Sequence, residues 1–535
     1  MKLNRRYLAA LAALAVCGLS AGWLTGVREA PPTVVFVAAP VRMPAKQKAL
    51  PAWTAAPPQR DTFPNGNTLE IFASNQAGEI IARFPTDESY DAFVYYLGAS
   101  KVRVIDQLDR LRAVRIAYDE WTDFVELLDG EDVGVYDSMP AVPDPGRATA
   151  NRREAVGFGD GLLPWLGITS DNSAWGAGVK IAVLDTGVAD HPALEGISSI
   201  EVAPAMDDLT PAQGHATAVA SLIASHDPDA PGIAPAAEII SIRISDESGR
   251  ADSYSLAAGI LAGVDAGAQL INISMGTPEN NPLIEEAVSY ALDHGVLIVA
   301  ASGNGSRAEP MYPAAYPGVI SVGSVDARGV HMDFSNEGSA LSLTAPGYAI
   351  NAAWPGDRTL PITGTSASTP LVTGAIAATM SDGNGVTMSP AEAAAIVMDL
   401  SDEAGLPGAD SQYGSGILDL GRIMNRGIPG IIDVAITNQR ILAKGEGRPN
   451  DEIQVTIQNR GTATLSHVLV ETSSGLAAAK FESGTLVPDA IQSFTIPLRQ
   501  DGRNAEIQVT SRLTLGPLEQ DITPQNNHRT DTLWR

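Results

Sequence analysis

Apolar and polar positions follow three different patterns along the chain. Between residues 69 and 140, short alternating stretches flank two stripes in which apolar residues recur every three or four positions. From 165 to 423, continuous apolar runs alternate with longer helical patterns, and beyond 430 apolar residues recur at every second position. A spacing near 3.6 predicts helices, whereas a spacing of two predicts half-buried strands. The sequence therefore predicts a small α+β unit, an α/β domain and an all-β sandwich of about 100 residues, in that order.

The first unit, residues 69–140, is predicted to follow the order βαββαβ. Its helical stripes run over 88–99 and over a second stretch formed by Trp121, Phe124, Val125 and Leu128. The predicted strands cover 79–84, 101–106, 111–118 and 133–136. This order is typical of a ferredoxin-like module with both helices on one face of the sheet.

The central region, residues 161–426, is predicted to hold a parallel sheet with helices on both faces, because its apolar strands alternate with helices. The predicted strands are 179–184, 239–244, 270–274, 296–300 and 319–322. The predicted helices are 215–225, 255–266, 282–294 and 366–380. Catalytic groups are expected at the carboxyl ends of the strands of such a sheet.

The first 27 residues are typical of an export segment, since residues 1–6 are basic and residues 7–27 carry no charge. Three fates are compatible with this pattern: cleavage as a signal peptide, retention as a membrane anchor, or lipidation at Cys17. Cys17 is the only cysteine of the chain. We therefore expect no internal disulfide in the mature protein, although it is exported.

Composition narrows the class of protein. The chain has 535 residues, with 5% aromatic residues, 51 Gly and 36 Pro, which suits a loop-rich α/β enzyme with added domains. Its formal net charge of −27 argues against a nucleic-acid partner.

Two connecting segments are predicted. Residues 28–68 are rich in Pro and Ala, which indicates an extended linker, and residues 141–160 are predicted to form an exposed connector with a processing site. Contact with a membrane is expected only through the N-terminal segment.

Ser366 follows Gly364 and Thr365 at the start of a predicted buried helix. Unpaired backbone N–H groups and the positive end of the helix dipole meet at such a position, so it can stabilise an oxyanion. Taken alone, Gly-Thr-Ser is also an ordinary way to cap a helix. The interpretation therefore depends on partners elsewhere in the chain.

Three residues supply those partners. Asp185 ends a predicted apolar strand, where its carboxylate can orient a histidine, although an Asp before Thr-Gly also starts turns. His215 lies among small residues and can act as a general base, but an isolated His is more often structural. Asn304 follows another predicted strand and can donate its amide to an oxyanion, or simply occupy a turn between glycines.

The order Asp185, His215, Asn304, Ser366 separates the candidate classes of hydrolase. The α/β-hydrolases run Ser, acid, His and need a Gly-x-Ser-x-Gly elbow, whereas Asp, His, Ser is the subtilisin order. Residues 165–423 resemble the catalytic domain of subtilisin-like serine proteases. The matching stretches are Val183-Leu184-Asp185-Thr186-Gly187-Val188, Gly214-His215-Ala216-Thr217, Gly232-Ile233-Ala234-Pro235, Ile273-Ser274-Met275-Gly276, Ala301-Ser302-Gly303-Asn304, Tyr312-Pro313-Ala314, Thr344-Ala345-Pro346-Gly347 and Gly364-Thr365-Ser366 with Pro370.

This resemblance implies a role for each residue of the candidate site. Asp185 orients the base, His215 is the base, Ser366 is the nucleophile and Asn304 is an oxyanion donor. The residues expected to bind substrate are Ser274, Met275 and Gly276 along an edge that pairs with the substrate backbone, Ala301 and Gly303 beside the specificity pocket, and Met311 at its floor. We expect a shallow pocket that prefers small to medium apolar side chains.

The resemblance also extends to the flanking regions. Residues 69–140 look like the propeptide that chaperones and inhibits such proteases, and residues 430–535 resemble CARDB-type immunoglobulin-like modules. The chemistry is expected to need no cofactor. Asp227 and Asp229 could ligate a cation, but the loop 225–231 has no clear match to the family's usual calcium loop, so the sequence leaves a structural calcium ion open without supporting it.

Several neighbours of the candidate catalytic residues depart from the family pattern. They are Ala216, Ala218, Ala367, Ser368 and Leu371. None of them carries a proton in the expected reaction. They therefore bear on the rate of hydrolysis and on the packing around the site, and less on the type of reaction.

The expected function is that of an exported serine endopeptidase, made as a self-processing zymogen and acting on proteins or peptides through an acyl-enzyme. Its propeptide is the expected intramolecular inhibitor. Two alternatives are a protease fold used for binding, and a C-terminal adhesion or carbohydrate-binding module that carries a passenger domain.

Overall fold

The computed structural model describes residues 69–73, 79–97, 102–119, 133–136, 155–194, 196–202, 214–246, 249–381, 385–445, 450–474, 477–498, 506–517 and 519–534. The predicted export segment, the linker, the helix around Trp121 and most of the connector lie outside these ranges. Within the described ranges, none of the helices combines the length and apolarity needed to cross a membrane.

The N-terminal unit contains a five-stranded sheet with the order β3-β4-β2-β1-β5. Its elements are β1 (Leu69–Ala73), β2 (Glu79–Arg83), α1 (Asp87–Leu97), β3 (Arg103–Leu108), β4 (Ala113–Ala117) and β5 (Val133–Tyr136). The apolar stripe of α1 packs on the sheet through Tyr90, Phe93 and Leu97, as its spacing predicts. The sequence prediction was wrong by one strand, because β1 is short and was not separated from the preceding linker. It lies between β2 and β5 and pairs with β5 in parallel.

The central domain is built on a seven-stranded parallel sheet with the order β12-β11-β10-β9-β6-β8-β7. Its strands are β6 (Lys180–Asp185), β7 (Ser198–Glu201), β8 (Glu238–Arg243), β9 (Leu270–Ile273), β10 (Leu297–Ala301), β11 (Ile320–Val325) and β12 (Leu343–Pro346), followed by a hairpin of β13 (Ile350–Trp354) and β14 (Arg358–Ile362). The predicted parallel sheet is therefore confirmed, and each predicted strand is found within a few residues of its expected bounds.

The helices of this domain are α2 (Leu162–Trp165), α3 (His215–Ala224), α4 (Ser253–Asp265), α5 (Pro282–Asp293), α6 (Thr365–Met380), α7 (Pro390–Asp399) and α8 (Leu420–Asn425). They cover both faces of the sheet, and β6 shows how. Ile181 and Val183 point into a core shared with α3 and α6, whereas the alternate residues Ala182 and Leu184 point into a core shared with α4 and α5. This strand is buried on both faces, as its continuous apolar run predicts.

Strand β6 also marks the point where the strand order reverses. After β6 the chain forms β7 and β8 on one side of it and then crosses to β9 on the other side. Ligand sites in open α/β sheets lie at the carboxyl ends of the strands beside such a switch point. Asp185, the last residue of β6, occupies that place.

The C-terminal domain packs two main sheets against each other. One has the order β15-β16-β21 and the other β19-β18-β22-β23, with a small β17-β20 pair beside them. Its strands are β15 (Val434–Leu442), β16 (Glu452–Asn459), β17 (Leu465–Ser466), β18 (Leu469–Ser474), β19 (Ala478–Glu482), β20 (Thr485–Leu486), β21 (Ile491–Pro497), β22 (Glu506–Thr514) and β23 (His528–Trp534). Inward residues such as Val455, Val470 and Val509 form one core. This architecture agrees with the predicted all-β sandwich.

Candidate active site

Asp185 and His215 form a close pair at the carboxyl edge of the sheet. Nδ1 of His215 lies 2.8 Å from Oδ2 and 2.9 Å from Oδ1 of Asp185. The Asp185 side chain is fully buried, and its Oδ1 also accepts a hydrogen bond of 2.7 Å from the backbone N–H of Thr186. Thr186 Oγ1 in turn accepts a 3.2 Å hydrogen bond from the N–H of Ala216, so the strand end and the start of α3 are tied together.

The environment of His215 favours its charged form. Burial lowers the pKa of His215, but the negative charge of Asp185 and its hydrogen bond raise it by more, so the pKa lies above the ordinary histidine value. With Nδ1 held by the carboxylate, Nε2 is left as the nitrogen that can exchange a proton with a substrate or nucleophile. None of the described residues forms a hydrogen bond to Nε2 of His215, Ser366 included. The base and the candidate nucleophile are therefore not joined by a hydrogen bond here, and such catalytic contacts are often long outside the reacting complex.

Ser366 lies in the first turn of α6, a helix buried along its whole length. The turn begins at Gly364, whose φ of 142° is one that residues with a Cβ rarely adopt. Pro370 has no N–H to donate to the carbonyl of Ser366, one turn earlier. Ser274 Oγ donates a 3.2 Å hydrogen bond to that carbonyl instead, and itself accepts one of 3.0 Å from Asn272 Nδ2.

Asn304 is oriented by Thr365, the residue immediately before Ser366. Its Oδ1 accepts hydrogen bonds of 2.8 Å from the Thr365 N–H and 3.0 Å from Thr365 Oγ1. Because the carbonyl end of the amide faces Thr365, its Nδ2 end is turned the other way. An amide held in this orientation, next to the N-terminus of α6, is suited to stabilising a developing oxyanion.

Asn336 holds the loop that carries Asn304. It is fully buried, and its Nδ2 donates a 2.9 Å hydrogen bond to the carbonyl of Ser302. Its Oδ1 accepts hydrogen bonds of 3.0 Å from the N–H groups of both Gly305 and Arg307. Asn336 therefore braces the chain on both sides of Asn304.

The residues predicted to bind substrate lie together beside this centre. A Cβ placed on Gly303 would lie 2.5 Å from Sδ of Met311, and one on Gly276 would lie 3.1 Å from Cβ of Met311. The Met311 side chain thus packs closely on Gly303 and also lies beside Gly276, where the nearest obstacle to a Cβ is the carbonyl oxygen of Tyr312 at 2.7 Å. Ser274, Met275 and Ala301 are also buried at the ends of β9 and β10.

The residues that depart from the family pattern are accommodated by packing. Ala216, Ala218, Ala367 and Leu371 are all buried, and the last three belong to the hydrophobic core between the sheet, α3 and α6. Ser368 is also buried, and its Oγ donates a 3.1 Å hydrogen bond to the carbonyl of Ala345 in β12. These substitutions leave the arrangement of Asp185 and His215 intact.

Asp227 and Asp229, the candidate cation ligands, form a local turn. Oδ1 of Asp227 accepts a 2.9 Å hydrogen bond from the N–H of Asp229. Over the described part of the chain, no three acidic, His or Cys side chains come together as a potential metal site.

Sequence reasoning missed Thr186, Asn272, Thr365 and Asn336 as parts of this site. Thr186 and Thr365 adjoin the predicted residues in sequence, so the motifs contained the signal. Asn272 and Asn336 act through hydrogen bonds across the fold, and no local spacing identifies them.

Comparison with known proteins agrees with this geometry. The model of the subtilase family matches residues 176–416. A thermostable alkaline protease of Halalkalibacterium halodurans is 34% identical over 272 residues, which cover 49% of this chain and 73% of that protein. Subtilisin BL of Lederbergia lenta is 36% identical over 204 residues, covering 38% of this chain and 76% of that protein. Thermitase of Thermoactinomyces vulgaris is 36% identical over 211 residues, covering 38% and 74%. The chain belongs to the subtilase family and is a subtilisin-like serine endopeptidase.

Proposed function

We propose that Ser366 is the nucleophile of this endopeptidase, with His215 as its base and Asp185 as the residue that orients the base. Two observations support this assignment: the pairing of the buried Asp185 carboxylate with His215 Nδ1, and the place of Ser366 in the first turn of α6. Ser366 Oγ attacks the scissile carbonyl carbon while its proton passes to His215 Nε2. The same proton then leaves with the amine, and water reverses the sequence to release the acyl group.

The oxyanion formed in each step is stabilised by the Asn304 amide and the backbone N–H of Ser366. Such donors act strongly because they are held in place before the reaction begins. Loss of peptide hydrolysis in Ser366→Ala, with an unchanged melting temperature, is the test of this assignment.

We propose further that the N-terminal unit is a propeptide that remains docked on the protease until it is removed. Arg83 and Arg112 of this unit both pair with Glu286 on α5, at 2.9 Å from Arg83 Nε and 2.8 Å from Arg112 Nη2. Arg110 pairs with Asp265 at the end of α4, at 2.6 Å, but both side chains are about half exposed and the pair adds little.

Apolar packing accompanies these ion pairs. Ile81, Leu111 and Ala113 of the N-terminal unit are buried in the same core as Tyr254 of α4 and Leu283 of α5. This combination of a buried apolar patch with opposite charges is suited to a specific but dissociable inhibitor. Self-cleavage is proposed to occur in the connector, between residues 138 and 153. Ser366→Ala should then accumulate as the full precursor, and normal processing of that variant would assign the cleavage to another protease.

Export of the protein is proposed from residues 1–27, which lie outside the described ranges. A basic start followed by an uncharged stretch is what export machinery recognises. Mass spectrometry of the mature N-terminus distinguishes the cleaved, anchored and lipidated forms.

The proposed substrates are proteins and peptides with a small or medium apolar residue before the scissile bond. Support comes from Met311, whose side chain packs on Gly303 and lies beside Gly276, which limits the room there. A peptide-library profile dominated by Phe, Tyr or charged residues at that position would rule this preference out.

A further inference from the structure

Arg422 is a charged residue that the reaction does not use, yet its side chain is only 4% exposed. It lies on α8, near the end of the protease domain. Its Nη1 donates hydrogen bonds of 3.0 Å and 2.7 Å to the carbonyls of Leu400 and Ser401 and contacts Asp402 at 3.3 Å. Its Nη2 pairs with Asp489, which belongs to the β-sandwich. One buried guanidinium therefore joins two separate domains.

A second group of contacts crosses the same boundary. Arg460 of the sandwich pairs with Asp402 of the protease domain at 2.8 Å, so Asp402 is shared by two arginines. The N–H of Glu403 donates a 3.0 Å hydrogen bond to Oε1 of Gln458 in β16. Arg422 Nε also donates to the carbonyl of Arg460, at 3.3 Å. These contacts between the domains are polar, and residues of both domains also line a cavity of about 930 Å³ at the junction.

The protease segment held by these contacts supports the edge of the catalytic sheet. The N–H of Thr344 in β12 donates a 2.9 Å hydrogen bond to the carbonyl of Gly416, and the N–H of Leu418 donates one of 2.9 Å to the carbonyl of Thr344. Asp402 pairs with Ile417 through backbone hydrogen bonds of 2.7 Å and 2.9 Å. Because β12 is an edge strand, this segment covers backbone groups that would otherwise be open.

We propose that the C-terminal sandwich is an intramolecular stabilising partner of the protease domain, docked through Arg422, Arg460 and Asp402, and not a freely tethered module. Removing the sandwich takes away one partner from each of two ion pairs and uncovers Arg422. Arg422 and Asp402 still contact each other, but each loses its charge partner across the junction, so we expect the protease domain without the sandwich to be less stable.

The test is to cut the connection between the domains in the full-length protein. A recognition sequence for a specific protease is inserted at Gly427–Gly430, a stretch that is exposed along its length. After cleavage, size-exclusion chromatography shows whether the two pieces stay together. We expect the nicked wild-type protein to elute as one complex and the nicked Arg460→Ala and Arg422→Ala variants to separate, with a lower melting temperature before cleavage.

Arg512→Ala is the matched control, because Arg512 is exposed on β22 and contributes nothing to the junction. The nicked control should elute like the nicked wild type. Arg460 is only partly exposed and serves as the second variant should Arg422→Ala fail to fold. Separation of the nicked wild-type protein at moderate salt, or retention of the complex in Arg460→Ala, would overturn the proposal.

Discussion

Nδ1 of His215 contacts both carboxylate oxygens of Asp185, at 2.8 Å and 2.9 Å, and the carboxylate is fully buried. This pairing holds the imidazole in one orientation and raises its pKa. The rate of hydrolysis should therefore depend on a group that titrates above the ordinary histidine value.

Asp185→Asn should lower kcat by about 10⁴-fold, because the amide no longer stabilises the imidazolium or selects the correct tautomer. Activity requires neutral His215, so the wild-type rate falls as the pH drops below the raised pKa of His215, and the fall in Asp185→Asn should occur at lower pH. Measurements of kcat/KM against pH test this, with Asp190→Asn, an exposed neighbour, as the control. If the rate falls at the same acidic pH in Asp185→Asn as in the wild type, the proposed role of Asp185 is contradicted.

Asn336→Ala should lower kcat more than it raises KM, because Asn336 braces the loop on both sides of Asn304. Removing an oxyanion donor directly, as in Asn304→Ala, is expected to cost about 10² to 10³-fold in kcat. If Asn336 acts through Asn304, its replacement should have little further effect on kcat in the Asn304→Ala background. Asn336→Asp, which keeps the acceptor for Gly305 and Arg307, should recover part of the rate. Additive losses in the double variant would show that Asn336 has only a general structural role.

Glu286→Ala should weaken the docking of the N-terminal unit, since both Arg83 and Arg112 lose their common partner. We expect an inhibition constant for the separate propeptide that is roughly 10-fold to 100-fold higher, or about 1.4 to 3 kcal/mol. Glu285→Ala is the control, because Glu285 is exposed on the same helix. Equal inhibition of the two variants would argue against this interface.

Glu403→Gln should change how stability depends on pH. Burial raises the pKa of Glu403 to about 7, and its side chain is almost inaccessible. A raised acidic pKa means that the folded protein is stabilised by protonation at low pH and loses that contribution as the pH rises through 7. At pH 8 the buried charge costs about 3 kcal/mol, which the neutral amide avoids. Glu403→Gln should thus melt higher than wild type at pH 8 and similarly near pH 4.5, whereas the exposed Glu279→Gln should change neither value.

The sequence predicts most of the central fold because strands buried on both faces produce continuous apolar runs. It also predicts Asp185, His215, Asn304 and Ser366, since each lies at the end of a strand or the start of a helix. The sequence did not predict strand β1, because a five-residue strand with few turn-forming residues around it gives only a weak signal. Asn336 and Asn272 were missed for a different reason, because their hydrogen bonds join segments far apart in sequence.

The sequence pattern also did not predict that the protease domain and the C-terminal sandwich dock against each other. In the sequence, Arg422 is an ordinary charged residue of a short helix. Only the structure shows that it is buried against Asp402 and Asp489. Charge partners between domains carry no periodic signal, so the sequence predicted two domains without predicting their junction.

Active-site labelling with a fluorophosphonate, followed by mass spectrometry of the labelled peptide, tests the central claim most directly. The mechanism predicts a single label on Ser366, lost together with peptide hydrolysis in Ser366→Ala and greatly slowed in His215→Ala. Labelling at another residue, or hydrolysis that persists in purified Ser366→Ala, would contradict it.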